Sequence, residues 1–410
     1  MTKTKHIVMS LNSDRIGVLK KGDEKMNYLA EAKELMDDLV KWRRHLHENP
    51  EVGFELPKTS EFVKGKLEEF GYEPEHLLEH GLIAEVGQGE KTILLRADMD
   101  GLPIEEQSGL DFASTNDYSH TCGHDMHTTI MLGVAKLMKE HEDELEGVVR
   151  FEFQPAEELL IGSEAMVEAG LLEGVDAALA AHVQPMAPAS IMFNEGVSLA
   201  AANNYRIKVK GVGSHGAMPH NGIDPVFIAS QIINATQSLV AREVSFDKSA
   251  AITTGGFDSP GSRNTIPNEV TIEGTMRTFS EETRDYLKER LPELAEGIAK
   301  AYRAEIEFDY LCDIPVLDNN PELTQSVRGF AEDVLGDEIE VTDFEPLQAS
   351  EDFAVVSAKV PTTYFFIGTK PEGTEGHPVH HPEVVFNEDM MAPTVAVFLN
   401  SAINWLKENN

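Results

Sequence analysis

Apolar residues recur at helical spacing from Leu29 to His47, where Leu29, Ala32, Leu35, Met36, Leu39, Trp42 and Leu46 fall on one face. The pattern predicts an amphipathic helix that stops near Asn49-Pro50. A second helix is predicted from Lys58 to Phe70 and closed by Gly71, followed by short apolar runs at Leu82 to Val86 and Thr92 to Arg96. Helices and strand-like runs then alternate: helix His127 to Lys139, strand Val148 to Phe153, helix Gly162 to Ala169, strand Ala177 to His182. Such alternation predicts an α/β fold, a mainly parallel sheet flanked by helices.

After Val197 the texture changes. A strand at Tyr205 to Val209, a helix from Asp224 to Arg242, strands Ala251 to Phe257 and Val270 to Thr278, a helix Glu281 to Ala301 and a strand Ile306 to Tyr310 form a ferredoxin-like βαββαβ unit. A unit of that length can fold around its own core, so it reads as a domain inserted into the first. The α/β pattern resumes with helix Pro321 to Leu335, strand Thr363 to Gly368 and a last helix from Asp389 to Lys407. The expected organisation is an N-terminal extension over 1–27, a catalytic metal-binding domain over 28–196 and 311–410, and the inserted domain over 197–310.

Composition narrows the class. Hydrophobic residues at 41% and charged residues at 26% fit a soluble globular protein with a sizeable core. The formal net charge of -37 repels phosphate backbones and anionic lipid surfaces, so neither nucleic acid nor membrane is an expected partner. It suits either a salt-rich cytoplasm or a solubility strategy. The two cysteines, Cys122 and Cys312, are too few for a disulfide framework, and residues Met1 to Asn27 lack a signal-peptide pattern. The cytoplasm is the expected location.

Candidate chemistry gathers where strands are predicted to end: Asp98 and Asp100 after one, Glu157 and Glu158 after the next, His182 at the tip of a third. In open α/β sheets, ligands bind at the carboxyl ends of the strands. Cys122 and His124 stand just before the helix expected near His127, where the helix dipole favours a thiolate. Taken alone, Cys-x-His fits a buried thiol or a nucleophile as well as a ligand pair. Glu157-Glu158 alone is an acidic helix opening, His182 alone a satisfied core histidine, and Gly376 to Pro382, with His377, His380 and His381, a Pro-stiffened loop. Together they are the donor mix of a hydrolytic centre for borderline metals.

The strings Arg43-Arg44-His45-Leu46-His47-Glu48-Asn49-Pro50-Glu51, Arg96-Ala97-Asp98-Met99-Asp100-Gly101-Leu102-Pro103-Ile104, Cys122-Gly123-His124-Asp125 and Gln154-Pro155-Ala156-Glu157-Glu158 resemble the amidohydrolase branch of the aminoacylase and glutamate-carboxypeptidase metallopeptidase family. That branch holds hippurate hydrolases, N-acyl amino acid amidohydrolases and auxin-conjugate hydrolases. The resemblance runs from about Leu29 to the C-terminus. It implies two divalent ions (Zn, Mn, Co or Ni) held by Cys122, His124, Glu158, His182 and His380, with Glu157 as general base and Asp98 and Asp100 supporting the centre from behind.

Gly213 to His220 and Ser262 to Pro267 are similar to motifs on the family's smaller domain. The resemblance implies a lid and homodimerisation unit, in which His215 reaches an active site, commonly that of a dimer partner, to stabilise an oxyanion, while Asn264 and Arg277 hold substrate. The implied activity is cleavage of N-acyl amino acids to a carboxylic acid and a free amino acid. The alternative within the family is a metallo-carboxypeptidase or dipeptidase. Outside it stand a thiol hydrolase using Cys122 as nucleophile and a ligand-binding protein without turnover. Leu159-Leu160-Ile161, where relatives tend to be glycine-rich, and Asp117 to Thr121 depart from the family pattern.

Overall fold

A computed structural model describes residues 27–410, so the extension expected over 1–27 lies outside the described residues apart from Asn27. An eight-stranded sheet runs, edge to edge, through Glu75–His76, Leu82–Gly87, Val148–Gln154, Thr92–Asp98, Ala177–Gln184, Thr362–Gly368, Ser190–Phe193 and Glu340–Asp343. Its centre is parallel: Thr92–Asp98 pairs in parallel with Val148–Gln154 and with Ala177–Gln184, which pairs in parallel with Thr362–Gly368. The mainly parallel α/β sheet expected from the alternation is what the chain forms.

Strand alternation splits the apolar residues between two faces. Ile93, Leu95, Leu179, Val183, Phe365 and Ile367 enter one core with the helices Met36–His47, His124–Glu140 and Met391–Asn409. Leu94, Ala178, Ala180, Tyr364 and Phe366 enter a second core on the opposite face, with Met166 and Phe353. Thr92–Asp98 and Thr362–Gly368 are buried along their whole length, which explains their apolar stretches Ile93 to Leu95 and Tyr364 to Ile367.

The four-stranded second sheet runs Ala250–Asp258, Glu269–Thr278, Ala201–Lys210, Glu305–Ile314, antiparallel throughout. Tyr205, Ile207 and Val209 point into a core with helices Pro225–Ser238 and Glu281–Ala301. Their neighbours take the opposite face, where Arg206 pairs with Glu273 at 2.7 Å and Lys210 with Glu307.

Several boundaries differ from the sequence expectation. The first helix is divided at Leu35, whose N–H is shared between the carbonyls of Glu31 and Ala32 (3.3 and 3.2 Å), and continues as Met36–His47. The helix expected from His127 starts at His124, because Gly123 at φ 89° turns the chain sharply enough to begin it one turn earlier. Asp98 is the last residue of its strand rather than beyond it, and Ala177–Gln184 runs past His182. The four-residue strands Ser190–Phe193 and Glu340–Asp343 were not expected; the second is an edge strand of mostly polar residues. No helix among the described residues is long and apolar enough to cross a membrane.

One buried group on the second face is poorly served. Both carboxylate oxygens of Glu152, a residue with no exposure, lack a hydrogen-bond partner among the described residues. Burial pushes its pKa up to about 8, against the pull of Arg96, and Asp98 and Glu351 push it the same way. The folded state therefore holds a proton that the unfolded chain releases near pH 4.3, and stability falls as pH rises from there to about 8. Glu152→Gln should flatten this slope, raising stability at pH 8 by on the order of a few kcal/mol while changing little at pH 5. Urea denaturation at the two pH values checks it; equal effects at both would contradict the assignment.

Candidate metal centre

At the carboxyl ends of the parallel strands, on the face of the second core, the chain opens a cavity of ≈280 Å³ lined in part by Cys122, Glu157, Glu158, His182, His380 and Arg277. The Cys122 sulfur lies 3.3 Å from His182 Nε2 and 3.3 Å from His380 Nε2. His380 Nε2 is 3.4 Å from Glu158 Oε1, and His124 Nε2 is 3.9 Å from both Glu157 Oε2 and Glu158 Oε1. Donor atoms of Cys122, His124 and His182, of Cys122, Glu158 and His380, and of His124, Glu157 and Glu158 each fall within 4.8 Å of one another. The five residues expected as ligands and the expected base thus come together from four separate stretches of chain.

Backbone groups fix the direction of these donors. His182 Nδ1 donates to its neighbour's carbonyl, Val183 O, at 2.7 Å, so the Nε2 lone pair faces Cys122. His127, beside it, is spoken for at both nitrogens: Nδ1 donates to Asp98 at 2.6 Å and Nε2 accepts the Val183 N–H at 3.0 Å. It is a prop for the Ala177–Gln184 strand and has no lone pair to offer an ion. Asp100 Oδ1 and Oδ2 accept the N–H groups of Glu157 and Glu158 at 3.1 and 3.2 Å, and its Oδ1 is 3.4 Å from His124 Nδ1. One carboxylate therefore sets the pose of three candidate site residues.

His380 reaches the site from a loop in which it adopts φ 66°, and its N–H donates to Thr121 O at 2.9 Å, next to Cys122. His381 turns away to stack on His377 with ring centroids 4.1 Å apart.

The donor set suits a cation. Both ring nitrogens of His124 and Glu158 Oε1 are buried without a hydrogen-bond partner among the described residues. Burial works against a charged His124, yet Asp98, Asp100 and Glu158 raise its pKa to about 10. Burial and the nearby His127 and His124 take His182 down to about 3, which leaves a neutral imidazole. Burial, then Glu158, Glu157 and Asp98, push the Cys122 thiol well above its usual range. Burial, then Glu351, Asp352 and Glu158, do the same to Glu157. A thiol nucleophile needs the opposite shift, whereas a divalent cation among these groups would pull the His124, Cys122 and Glu157 pKa values back down and keep His182 neutral.

Beneath the cavity lies a network that the sequence did not announce. Arg96, with no exposed side-chain surface, donates to Gln154 at 2.9 Å, Asp98 at 2.6 Å, Glu351 at 2.9 Å and Asp352 at 3.0 Å. Tyr364 donates to the second oxygen of Glu351 at 2.8 Å. On the far side of His124, Asp125 accepts from buried Arg43 at 2.9 Å and from His47 at 2.8 Å. Arg43, His47 and Arg96 stand in the family-like strings, but only tertiary structure supplies their partners.

Of the residues expected on the inserted unit, Arg277 lines the cavity. His215 and Asn264 do not. They share the short exposed arm formed by Ser214–His215 and Thr265–Ile266, where Gly216 N–H donates to Asn264 O at 2.7 Å. His215 Nδ1 accepts from Ala217 N–H at 3.1 Å, so the neutral ring carries its proton on the outward Nε2.

Fold and site together define a metallohydrolase, and the chain belongs to peptidase family M20/M25/M40, whose profile matches residues 94–404. It is 37% identical over 380 residues to N-acetyl-L-cysteine deacetylase of Bacillus subtilis (strain 168), covering 92% of this chain and 90% of that protein. It is 34% identical over 389 residues to hippurate hydrolase of Campylobacter jejuni, covering 93% and 100%. A crystal structure of a Bacillus subtilis dinuclear metal binding peptidase from the M20 family matches with a TM-score of 0.78 and 34% identity, over 92% of this chain and 99% of that one.

Gly123 separates Cys122 from His124, and a Cβ there would lie 2.3 Å from Val183 Cγ2 in a left-handed backbone that disfavours side chains. Gly123→Ala should therefore displace both neighbours, costing on the order of 1–3 kcal/mol in stability and most of the bound metal. Thermal melting and elemental analysis of the purified variant check this; wild-type metal content would contradict it.

Proposed function

We propose that this chain is a two-metal amidohydrolase that cleaves N-acyl amino acids into a carboxylic acid and a free amino acid. The carrying observation is that Cys122, Glu158, His182 and His380 line one cavity with Glu157 and Arg277, and that His124 brings its donors within reach of Cys122, His182 and the Glu157-Glu158 pair. The relatives' names support it, since a deacetylase of N-acetyl-L-cysteine and a hippurate hydrolase both act on acylated amino acids.

Cys122, His124, Glu158, His182 and His380 would hold two divalent ions, of Zn, Mn, Co or Ni. Such ions supply Lewis acidity to the amide carbonyl and make a bound water acidic enough to attack. Glu157 lines the cavity where that water would lie, and its N–H is pinned by Asp100. It takes the proton as the water oxygen bonds to the carbonyl carbon, then delivers it to the amide nitrogen as the C–N bond breaks. Arg277 pairs with the substrate carboxylate. The outward Nε2–H of His215, with Asn264 beside it, serves the active site of a second copy, where the partner subunit's His215 would donate to the oxyanion. The two buried free cysteines support a reducing, cytoplasmic setting.

Glu157→Gln should reduce kcat by about 10²–10⁴ with metal content retained. Steady-state kinetics on N-acetyl and N-benzoyl amino acids, paired with elemental analysis, tests the role, and full activity would refute it. Activity should also vanish with a chelator and return with Mn²⁺, Co²⁺ or Zn²⁺, while a peptidase substrate panel separates this reading from a carboxypeptidase. The shared site has its own test. Homodimers of Glu157→Gln and of His215→Ala should each be impaired, and mixing them should restore activity through dimers with one intact site. No recovery on mixing, with subunit exchange verified, would place His215 outside the partner's site.

A further inference from the structure

The turn that carries Glu157 and Glu158 is bracketed by two non-glycine residues in the left-handed region, Ala156 at φ 60° and Leu160 at φ 57°. Side chains rarely take that conformation, and it persists where surrounding contacts over-determine it. Here Leu160 N–H donates to Glu157 O at 2.7 Å and Gly162 N–H to Ala156 O at 3.2 Å, closing the turn from both sides. The backbone twist sends two adjacent leucines in different directions. Leu159 is 55% exposed and covers Gly53, where an added Cβ would lie 2.9 Å from Leu159 Cδ1. Leu160 instead lines the cavity, together with Leu199, Phe366 and Val379.

The cavity has two chemical characters. Arg277 supplies a cation for a carboxylate, and the leucine, valine and phenylalanine side chains supply an apolar wall. Its ≈280 Å³ falls just below the about 300–1,000 Å³ usual for small-molecule sites. An N-acyl amino acid has one charged end and one uncharged end, and the uncharged acyl group belongs with the apolar wall. Leu160 is the wall residue on the same turn as Glu157, the proposed base.

We propose that Leu160 sets the acyl-group preference, its side chain restricting the site to short aliphatic acyl groups and excluding aryl ones. This rests on the amidohydrolase reading. The left-handed backbone makes the residue separable from the fold, because glycine adopts φ 57° freely and removes the side chain without forcing the turn to move.

The test compares kcat/KM for N-acetyl and N-benzoyl derivatives of one amino acid in wild type, Leu160→Gly, Leu160→Ala and Leu159→Ala. Wild type should favour acetyl. Leu160→Gly should raise the benzoyl-to-acetyl ratio by about 10- to 100-fold, in keeping with the worth of a few methylenes in an apolar pocket. Leu160→Ala should fall between, and Leu159→Ala should match wild type. An unchanged ratio in either folded Leu160 variant, the same shift in Leu159→Ala, or loss of both activities at an unchanged melting temperature would overturn the proposal. Leu160→Ala carries the decision if the glycine variant does not fold. If wild type cleaves no N-acyl amino acid, the amidohydrolase reading itself fails. Calorimetric binding of benzoate and acetate to the metal-loaded proteins then decides: benzoate gaining affinity only when Leu160 is shortened supports the restriction, and equal gains for both anions reject it.

Discussion

The buried guanidinium of Arg96 is the interaction on which the candidate centre depends. It draws Asp98, Gln154, Glu351 and Asp352 together from two strands and a distant loop. A charge so placed loses its hydration, and the cost is recovered only when its donors are matched by well-oriented acceptors. The matching continues outward. Asp98 holds His127, His127 accepts the N–H of Val183, and Val183 O receives His182 Nδ1–H, so the direction of one donor atom in the cavity traces back to Arg96 through consecutive hydrogen bonds. Removing the arginine would leave several buried carboxylates without their counter-charge and release this chain at its root.

Much of the fold was legible because it follows from simple periodicities. The fully buried strands Thr92–Asp98 and Thr362–Gly368 read as apolar runs, and the helices Glu281–Ala301 and Pro321–Leu335 begin and end where the sequence predicts. The strands that escaped notice are short or polar. Glu340–Asp343 has one neighbour among the described residues, and its residues gain their conformation from pairing with Ser190–Phe193 rather than from their own preferences. The early start of the His124–Glu140 helix was hidden by Gly123, which in a sequence signals a break and in the structure serves as the pivot that starts the helix.

The site shows the same division between local and distant information. Cys122, His124 and the Glu157-Glu158 pair stand out through unusual density of donor residues, and their donors come together with Asp100 behind them. His127 belongs to the same dense string yet faces a carboxylate and a backbone amide, a difference no spacing rule reveals. Glu351 and Asp352 are more than two hundred residues from Arg96 in sequence and carried no motif-like signal. His215 and Asn264 are legible only by resemblance, since within one chain they sit on an exposed arm away from the cavity.

The sulfur of Cys122 belongs to two donor groups at once, one with His124 and His182, the other with Glu158 and His380. Were ions held on both sides, whatever electron density the sulfur gave to one would change what it offered the other. Their affinities would then be linked, and because linkage is reciprocal each ion would alter the other's affinity by the same factor. Metal loading would be a property of the pair, and one dissociation constant would not describe it.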